Sequence, residues 1–297
     1  MRAEHRRFAD APEASTGYER SAVVVLPVPF EGTSTYLPGT SRGPAAVLEA
    51  SRALELYEPD LGLSPYQAGI HVSDDIEAYS SEDMVQTVQR RVAAIIANGK
   101  LPLVLGGEHA VAVGAFRALS DRHPSLCYLS LDAHADLRPA YEGNPLSHAS
   151  VSARFQDTAH GVHVGLRSLS VEESQTIAQE GIPCVWAWET RIDGWIEHVF
   201  DSLGDPVYVS LDLDVFDPSV LPAVGCPEPG GLSWWDVDSL LREVMVRRRV
   251  VGVDVSELAP TGTMAWCDFF TARLIYRLVG YFWKSQLRPP RTPGVVE

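Results

Sequence analysis

Short, almost wholly apolar runs alternate with longer stretches of helical periodicity through most of this chain. Val23 to Pro29, Leu101 to Leu105, Leu126 to Leu131, His160 to Leu166, Ile182 to Trp186, Val207 to Leu211 and Val250 to Val255 read as buried strands. They are too short for helices and too continuously apolar for strands with one wet face. From Glu82 to Asn98 apolar residues recur at Val85, Val88, Val92, Ile95 and Ile96, with Ser80 and Asp83 as a capping pair and Gly99 as the stop. Helices are likewise expected from Pro44 onward and over Ala110 to Leu119, Val171 to Gln179, Asp193 to Leu203, Ser233 to Val246 and Met264 to Tyr281. Regular alternation of this kind predicts an α/β protein of three layers, α/β/α, with a mostly parallel, doubly wound sheet.

With 297 residues and 45% hydrophobic content, the chain can build one extensive core, and nothing marks an internal boundary. The expected division is an N-terminal extension over 1–20, a single domain over 21–284 and a C-terminal tail over 285–297. That tail, with Pro289, Pro290 and Pro293, carries no core residues to anchor it. The first residues lack the apolar stretch of a secretory signal, no apolar run reaches membrane-spanning length, and Cys127, Cys184, Cys226 and Cys267 show no paired spacing. A cytoplasmic protein with packed thiols is therefore expected. The net charge of −15, with basic clusters only at Arg247–Arg249 and in the tail, opposes nucleic acid or an anionic membrane as partner and mildly favours a small cation.

The polar residues that interrupt this pattern are concentrated at strand ends. Asp132-Ala133-His134-Ala135-Asp136 and Asp212-Leu213-Asp214 each follow an apolar run, and Gly106-Gly107-Glu108-His109 follows another. In an open parallel sheet the loops at strand carboxyl ends form the ligand crevice. Any one Asp there is as readily a turn or cap residue. Two such knots beside an imidazole are a different matter, because unpaired buried carboxylates are costly and a divalent cation removes the cost. His109, Asp132, His134, Asp136, Asp212 and Asp214 bring four negative charges, which two divalent ions balance. A hydroxide held between the ions leaves the cluster net negative, which suits a cationic electrophile and disfavours a phosphate ester. Carboxylate-rich ligation with two imidazoles points to Mn²⁺, with Ni²⁺, Co²⁺ or Zn²⁺ as alternatives. Asp217, ahead of Pro218, reads as a turn residue.

These three motifs, together with Pro227-Glu-Pro-Gly-Gly-Leu232 and Val255-Ser-Glu-Leu-Ala-Pro260, closely resemble the ureohydrolase family of arginases and agmatinases, from about Val23 to about Tyr281. The stretch Asp136-Leu-Arg-Pro-Ala-Tyr-Glu-Gly-Asn-Pro-Leu-Ser-His-Ala149 is similar to the agmatinase branch. The resemblance implies that Asp132 and Asp212 bridge two metal ions, that His109 and Asp136 complete one site, and that His134 and Asp214 complete the other. It further implies that His148 passes a proton to the leaving amine and that Glu257 grips the substrate guanidinium; on the sequence alone Ser147-His148 is equally a helix cap and Glu257 equally a surface acid. Attack by the metal-bridging hydroxide on a guanidino carbon would give urea and an amine. The implied assembly is a homo-oligomer, a trimer or hexamer.

Agmatine, or an aminopropyl derivative of it, is the first expectation for the substrate, with a putrescine- or spermidine-type amine as product. The arginase branch cradles a carboxylate partly with an Asn two residues after its last motif Asp, where Arg138 stands here. Arginase, guanidinobutyrase and formimidoylglutamase activities remain as alternatives, with selectivity expected in the loops Phe30 to Gly43 and Asp136 to Ser150. A zinc deacetylase on a related fold would need one metal and fewer acids, and a non-catalytic guanidino-binding relative would be expected to have lost a ligand or Glu257.

Overall fold

The computed structural model describes residues 6–287. Eight strands form one sheet: β1 Val23–Val28, β2 Ile70–Val72, β3 Leu101–Gly106, β4 Cys127–Leu131, β5 Gly161–Val164, β6 Cys184–Val185, β7 Val207–Asp212 and β8 Val250–Ser256. Their order is β2-β1-β3-β8-β7-β4-β5-β6, and each neighbouring pair is parallel. The helices are α1 Gly43–Ser51, α2 Ser81–Ala97, α3 Ala112–Arg122, α4 Val151–Gln156, α5 Val171–Glu180, α6 Trp195–Ser202, α7 Trp234–Arg247 and α8 Ala265–Gln286. The central strands are buried on both sides because helices cover both faces. One large cluster packs Val23, Leu103, Leu129, Val209 and Val253 against α1, α6, α7 and α8, and a second packs Val24, Val104, Tyr128 and Tyr208 against α2, α3 and α4. Successive strand residues point to opposite faces, so each strand feeds both clusters.

The cap expected at the start of α2 is present: Ser80 accepts from the Asp83 N–H, the Asp83 carboxylate accepts from the Tyr79 N–H, and Gly99 ends the turn with φ 68°. Two elements had no sequence signal. β2 is three residues long, and α4 is six; both are too short to show a period, and the partners they pack on decide them. The segment ahead of β1 lies on the domain, with Phe8 fully buried and stacked on Tyr276 of α8. Of the tail expected over 285–297, Ser285 and Gln286 instead continue α8 and Leu287 caps it, and the proline-rich remainder falls outside the described residues. Among the described residues, no helix is long and apolar enough to cross a membrane.

Candidate metal centre

β3, β8, β7 and β4 lie side by side in the middle of the sheet. Their carboxyl ends carry His109, Glu257, Asp212 with Asp214, and Asp132 with His134 and Asp136, in that order across the sheet. Four strands distant in sequence thus deliver their polar ends to one spot, and the chain turns aside there by specific local means. Gly107 lies so close to Phe30 that a Cβ on it would stand 2.2 Å from the Phe30 carbonyl oxygen. That contact lets β3 end beside β1 and turn His109 inward. β4 stops at Leu131, so positions 132, 134 and 136 converge through a loop; Asp136 takes a left-handed φ of 53°, and Glu257 one of 71°. Residues other than glycine held there carry local strain of about 1–3 kcal/mol each, tolerated where surroundings over-determine the conformation.

The His109 Nδ1 stands 3.2 Å from Asp132 Oδ2, 3.1 Å from Asp136 Oδ2 and 3.3 Å from Asp212 Oδ2. Donors each roughly 2.1 Å from one ion at right angles to one another are about 3 Å apart, so this spacing matches cis ligands of a common cation. Two compact donor groups result, His109/Asp132/Asp212 and Asp132/His134/Asp214, with Asp132 in both. Asp212 falls in one of them, and its Oδ1 accepts from the Asp214 N–H at 2.9 Å. In the second group His134 Nδ1 approaches Asp214 Oδ2 at 2.8 Å. Asp132 Oδ2 is buried without a hydrogen-bond donor.

The electrostatics ask for positive charge. Burial pushes Asp132 up to about 7, reinforced by Asp136 and Asp214, and pushes Asp212 well above the carboxylate range, reinforced by Asp214 and Asp132. Burial disfavours the charged form of both imidazoles but is outweighed by the acids: His109 is raised by Asp132, Asp136 and Asp212, and His134 to about 10 by Asp214. Asp214 goes the other way, to about 2, because His134 outweighs its burial. Acids that retain protons beside imidazoles that retain theirs mark a cluster that collects cations, and the donor set fits two divalent ions.

His148 and Glu257 line the same cavity as His109, His134, Asp136, Asp212 and Asp214. Ser147 caps the turn His148–Ser150 by accepting from the Ala149 N–H. Glu257 is buried; its Oε1 accepts from the His109 N–H at 2.7 Å, and a Cβ on Gly225 would stand 2.6 Å from its Oε2. Burial pushes its carboxyl up to about 8, with Glu108 and Asp214 adding to the effect against the His109 N–H. The inner wall is completed by Ser34, Thr35, Tyr36 and Leu37 of the Phe30–Gly43 loop, and Glu31 folds that loop on itself by accepting from Gly39 N–H, Ser41 N–H and Ser41 Oγ. Beyond it an outer chamber of about 270 Å³ is lined by Arg138, Tyr141, Ser168, Ser170 and Glu173. Arg138 reaches toward Glu173 at 3.7 Å and lies over the Tyr141 ring. Asp217 stays out of the cluster, accepting from Ser219 N–H and Oγ and from Gly230 and Gly231 N–H.

Several supporting residues were not found from sequence. Ser210, in β7, meets His109 Nε2 at 2.9 Å, and its register neighbour Asp254 in β8 accepts from the Tyr208 hydroxyl. Arg167 gathers the loops after β5 and β7 by donating to the carbonyls of Asp214, Phe216 and Glu228. Cys226 lines both chambers. A polar residue inside an otherwise apolar parallel strand was the available signal for Ser210 and Asp254.

The arginase family model matches residues 21–281. The chain is 36% identical to the N(1)-aminopropylagmatine ureohydrolase of Synechocystis sp. over 92% of its own length and 93% of the relative's. It is 33% identical to the agmatinase of Pyrococcus horikoshii over 86% and 90%. Its fold superposes on the agmatine ureohydrolase of Thermoplasma volcanium with a TM-score of 0.86, 33% identity and 94% of each chain covered. A match that takes in every strand end of the metal centre, at this identity and over nearly the whole of each relative, makes this chain a member of the arginase family.

Proposed function

We propose that the chain hydrolyses the guanidinium group of agmatine, or of an aminopropylagmatine-like polyamine precursor, to urea and a primary amine. The observation that carries this reading is the convergence of four aspartates and two histidines beside a buried glutamate and a cavity-lining histidine. His109, Asp132, Asp136 and Asp212 would hold one divalent ion, and Asp132, His134, Asp212 and Asp214 the other. When bound, the pair offsets the four carboxylates and makes water acidic enough to act as a nucleophile near neutral pH. Manganese is the metal we assign, on carboxylate-rich ligation.

The chain's own residues do the rest. Glu257 has one oxygen fixed by the His109 N–H, which sets the plane of its carboxylate for paired hydrogen bonds to a guanidinium. The incoming cation also favours the ionised form of a carboxyl that burial otherwise keeps protonated. Water adds to the guanidinium carbon, the bond from that carbon to the tail nitrogen breaks, and His148 gives that nitrogen its proton. The tail lies in the outer chamber, whose volume suits a narrow flexible amine. Arg138 in that chamber favours one alternative, an anionic-tailed guanidine such as guanidinobutyrate, although Glu173 and Tyr141 already engage it.

Urea release from agmatine, aminopropylagmatine, guanidinobutyrate and arginine, and formamide release from formiminoglutamate, measured with Mn²⁺ added, test the reading. The two agmatine-type cations should lead in kcat/KM, and no urea from any of the four guanidines would sink it. Four unpaired cysteines support a reducing, cytoplasmic setting. A trimer or hexamer is the assembly we expect, which light scattering would show.

A further inference from the structure

The Gly106-Gly107-Glu108-His109 motif contributes a second acid whose work lies away from the metal cluster. Glu108 is fully buried. Its Oε2 accepts from the Gly32 N–H at 2.8 Å and the Thr33 N–H at 2.7 Å, and its Oε1 accepts from the Thr33 hydroxyl at 2.8 Å. The Thr33 oxygen in turn lies 3.0 Å from His148 Nδ1 and accepts from the His148 backbone N–H at 3.0 Å. A hydroxyl has one proton to give and two lone pairs. Given that its proton goes to Glu108 and one lone pair to the His148 amide, the remaining lone pair faces Nδ1, which must then carry a hydrogen. The Ser147 hydroxyl, at 3.5 Å from the same nitrogen, already accepts from Ala149 and is the weaker neighbour.

We propose that Glu108 and Thr33 are positioning residues that hold His148 in its Nδ1–H tautomer, so that Nε2 is the nitrogen that handles the proton in the cavity. The inference rests on the hydrolase reading for its use, not for its geometry. In the proton-transfer step the imidazolium gives its Nε2 proton to the departing nitrogen as the carbon–nitrogen bond breaks. A neutral Nδ1–H ring remains, and it regains a proton from water. Glu108, through that one hydroxyl, keeps the Nδ1 side of the ring fixed throughout. The same contacts tie the Phe30–Gly43 loop to the end of β3, so the loop that walls the cavity is built on the acid that orients the ring.

The test is the ¹⁵N spectrum of His148 in the full-length protein with labelled histidine, loaded with diamagnetic Zn²⁺ in place of Mn²⁺ and taken without substrate above the pH at which the ring loses its charge. The resonance is assigned by loss in His148→Asn. A protonated Nδ1 and a bare Nε2 are expected; a protonated Nε2, or a mixture of tautomers, overturns the proposal. Thr33→Val should abolish the single Nδ1–H state and lower kcat by roughly 10- to 100-fold with KM little moved, while Thr33→Ser should recover most of both. Thr33→Val with the tautomer and kcat of the parent enzyme also overturns it. A parent enzyme with the expected tautomer and no urea from any guanidine would sink the hydrolase reading instead, and urea release with an Nε2–H ring would sink only the relay.

Discussion

Removing the metal should make stability fall steeply with pH, and the size of the effect follows from the buried acids. Asp132 is pushed to about 7 and Glu257 to about 8 by burial among other carboxylates, whereas both have ordinary values when the chain unfolds. A carboxyl whose folded value lies above its unfolded one holds its proton more tightly in the fold. The folded state is then favoured at low pH and loses that advantage as pH rises toward the folded value. Each proton held only by the folded state contributes a slope of about −1.4 kcal/mol per pH unit. From pH 5 to 7 the two acids together remove about 5 kcal/mol, or roughly 10 °C of Tm for a domain of this size. His134, raised to about 10 by Asp214 against its burial, extends the decline above pH 6.5, because a raised imidazole likewise stabilises only while it is charged. Asp214, at about 2, opposes none of this in the same window. Divalent ions reverse the trend, since their ligands must be deprotonated. The measurement is calorimetric Tm against pH, with chelator and with Mn²⁺. The chelated curve should descend and the two curves should diverge as pH rises. A chelated Tm that is flat or climbing between pH 5 and 7 would refute the reasoning, as would two parallel curves.

Asp132→Ala should lose bound metal and urea formation together, because both donor groups share this residue; metal analysis and a urea assay decide it. Glu257→Gln should keep the metal while kcat/KM drops by about 100-fold or more, since an amide cannot neutralise a guanidinium. Gly225→Ala should raise KM with metal content intact, as the added methyl would stand 2.6 Å from Glu257 Oε2. Far from the site, Arg277 of α8 joins Glu58, Asp60 and Asp238, the first and last of them buried. Arg277→Met should cost about 3–5 kcal/mol in denaturant unfolding by leaving Asp60 and the buried Asp238 without their cation, while Arg273 still pairs Glu58, with kcat of the folded enzyme retained.

The layers and the candidate metal acids were legible because both follow from local chemistry. Continuous apolar runs announce strands buried on two faces, and a carboxylate directly after such a run has few uses other than a cap or a ligand. What the sequence could not convey was which strand ends are neighbours. β3 and β4 are consecutive strands yet stand with β8 and β7 between them, so His109 reaches Asp132 through space that only the finished sheet defines. The same limit hid Arg167, whose partners include four carbonyls on loops far along the chain, those of Asp214, Val215, Phe216 and Glu228. Asp136 and Glu257 were legible as acids but not as left-handed residues: propensity argues against that conformation for Glu, and although Asp adopts it more readily, nothing in the local sequence marks Asp136 for it.

That last mismatch bears on how the fold carries the site. Strain at Asp136 and Glu257, the near-contact at Gly107 and the buried acids at Asp132 and Asp212 all lie at the carboxyl ends of four adjacent central strands. Each is unfavourable taken singly, and each is held by groups that would keep their places without it. The His109 N–H fixes Glu257, the Gly107 carbonyl accepts from the Glu257 N–H at 2.8 Å, and Asp214 Oδ1 accepts from the Ala133 N–H at 3.0 Å. Backbone donors and acceptors from the strands therefore aim the acids before any ion arrives. Preorganisation of this kind predicts that binding a divalent ion mainly exchanges protons for metal, with little movement of the strands that bear the ligands. The two compact donor groups, which share Asp132, are the form that preorganisation takes in this chain.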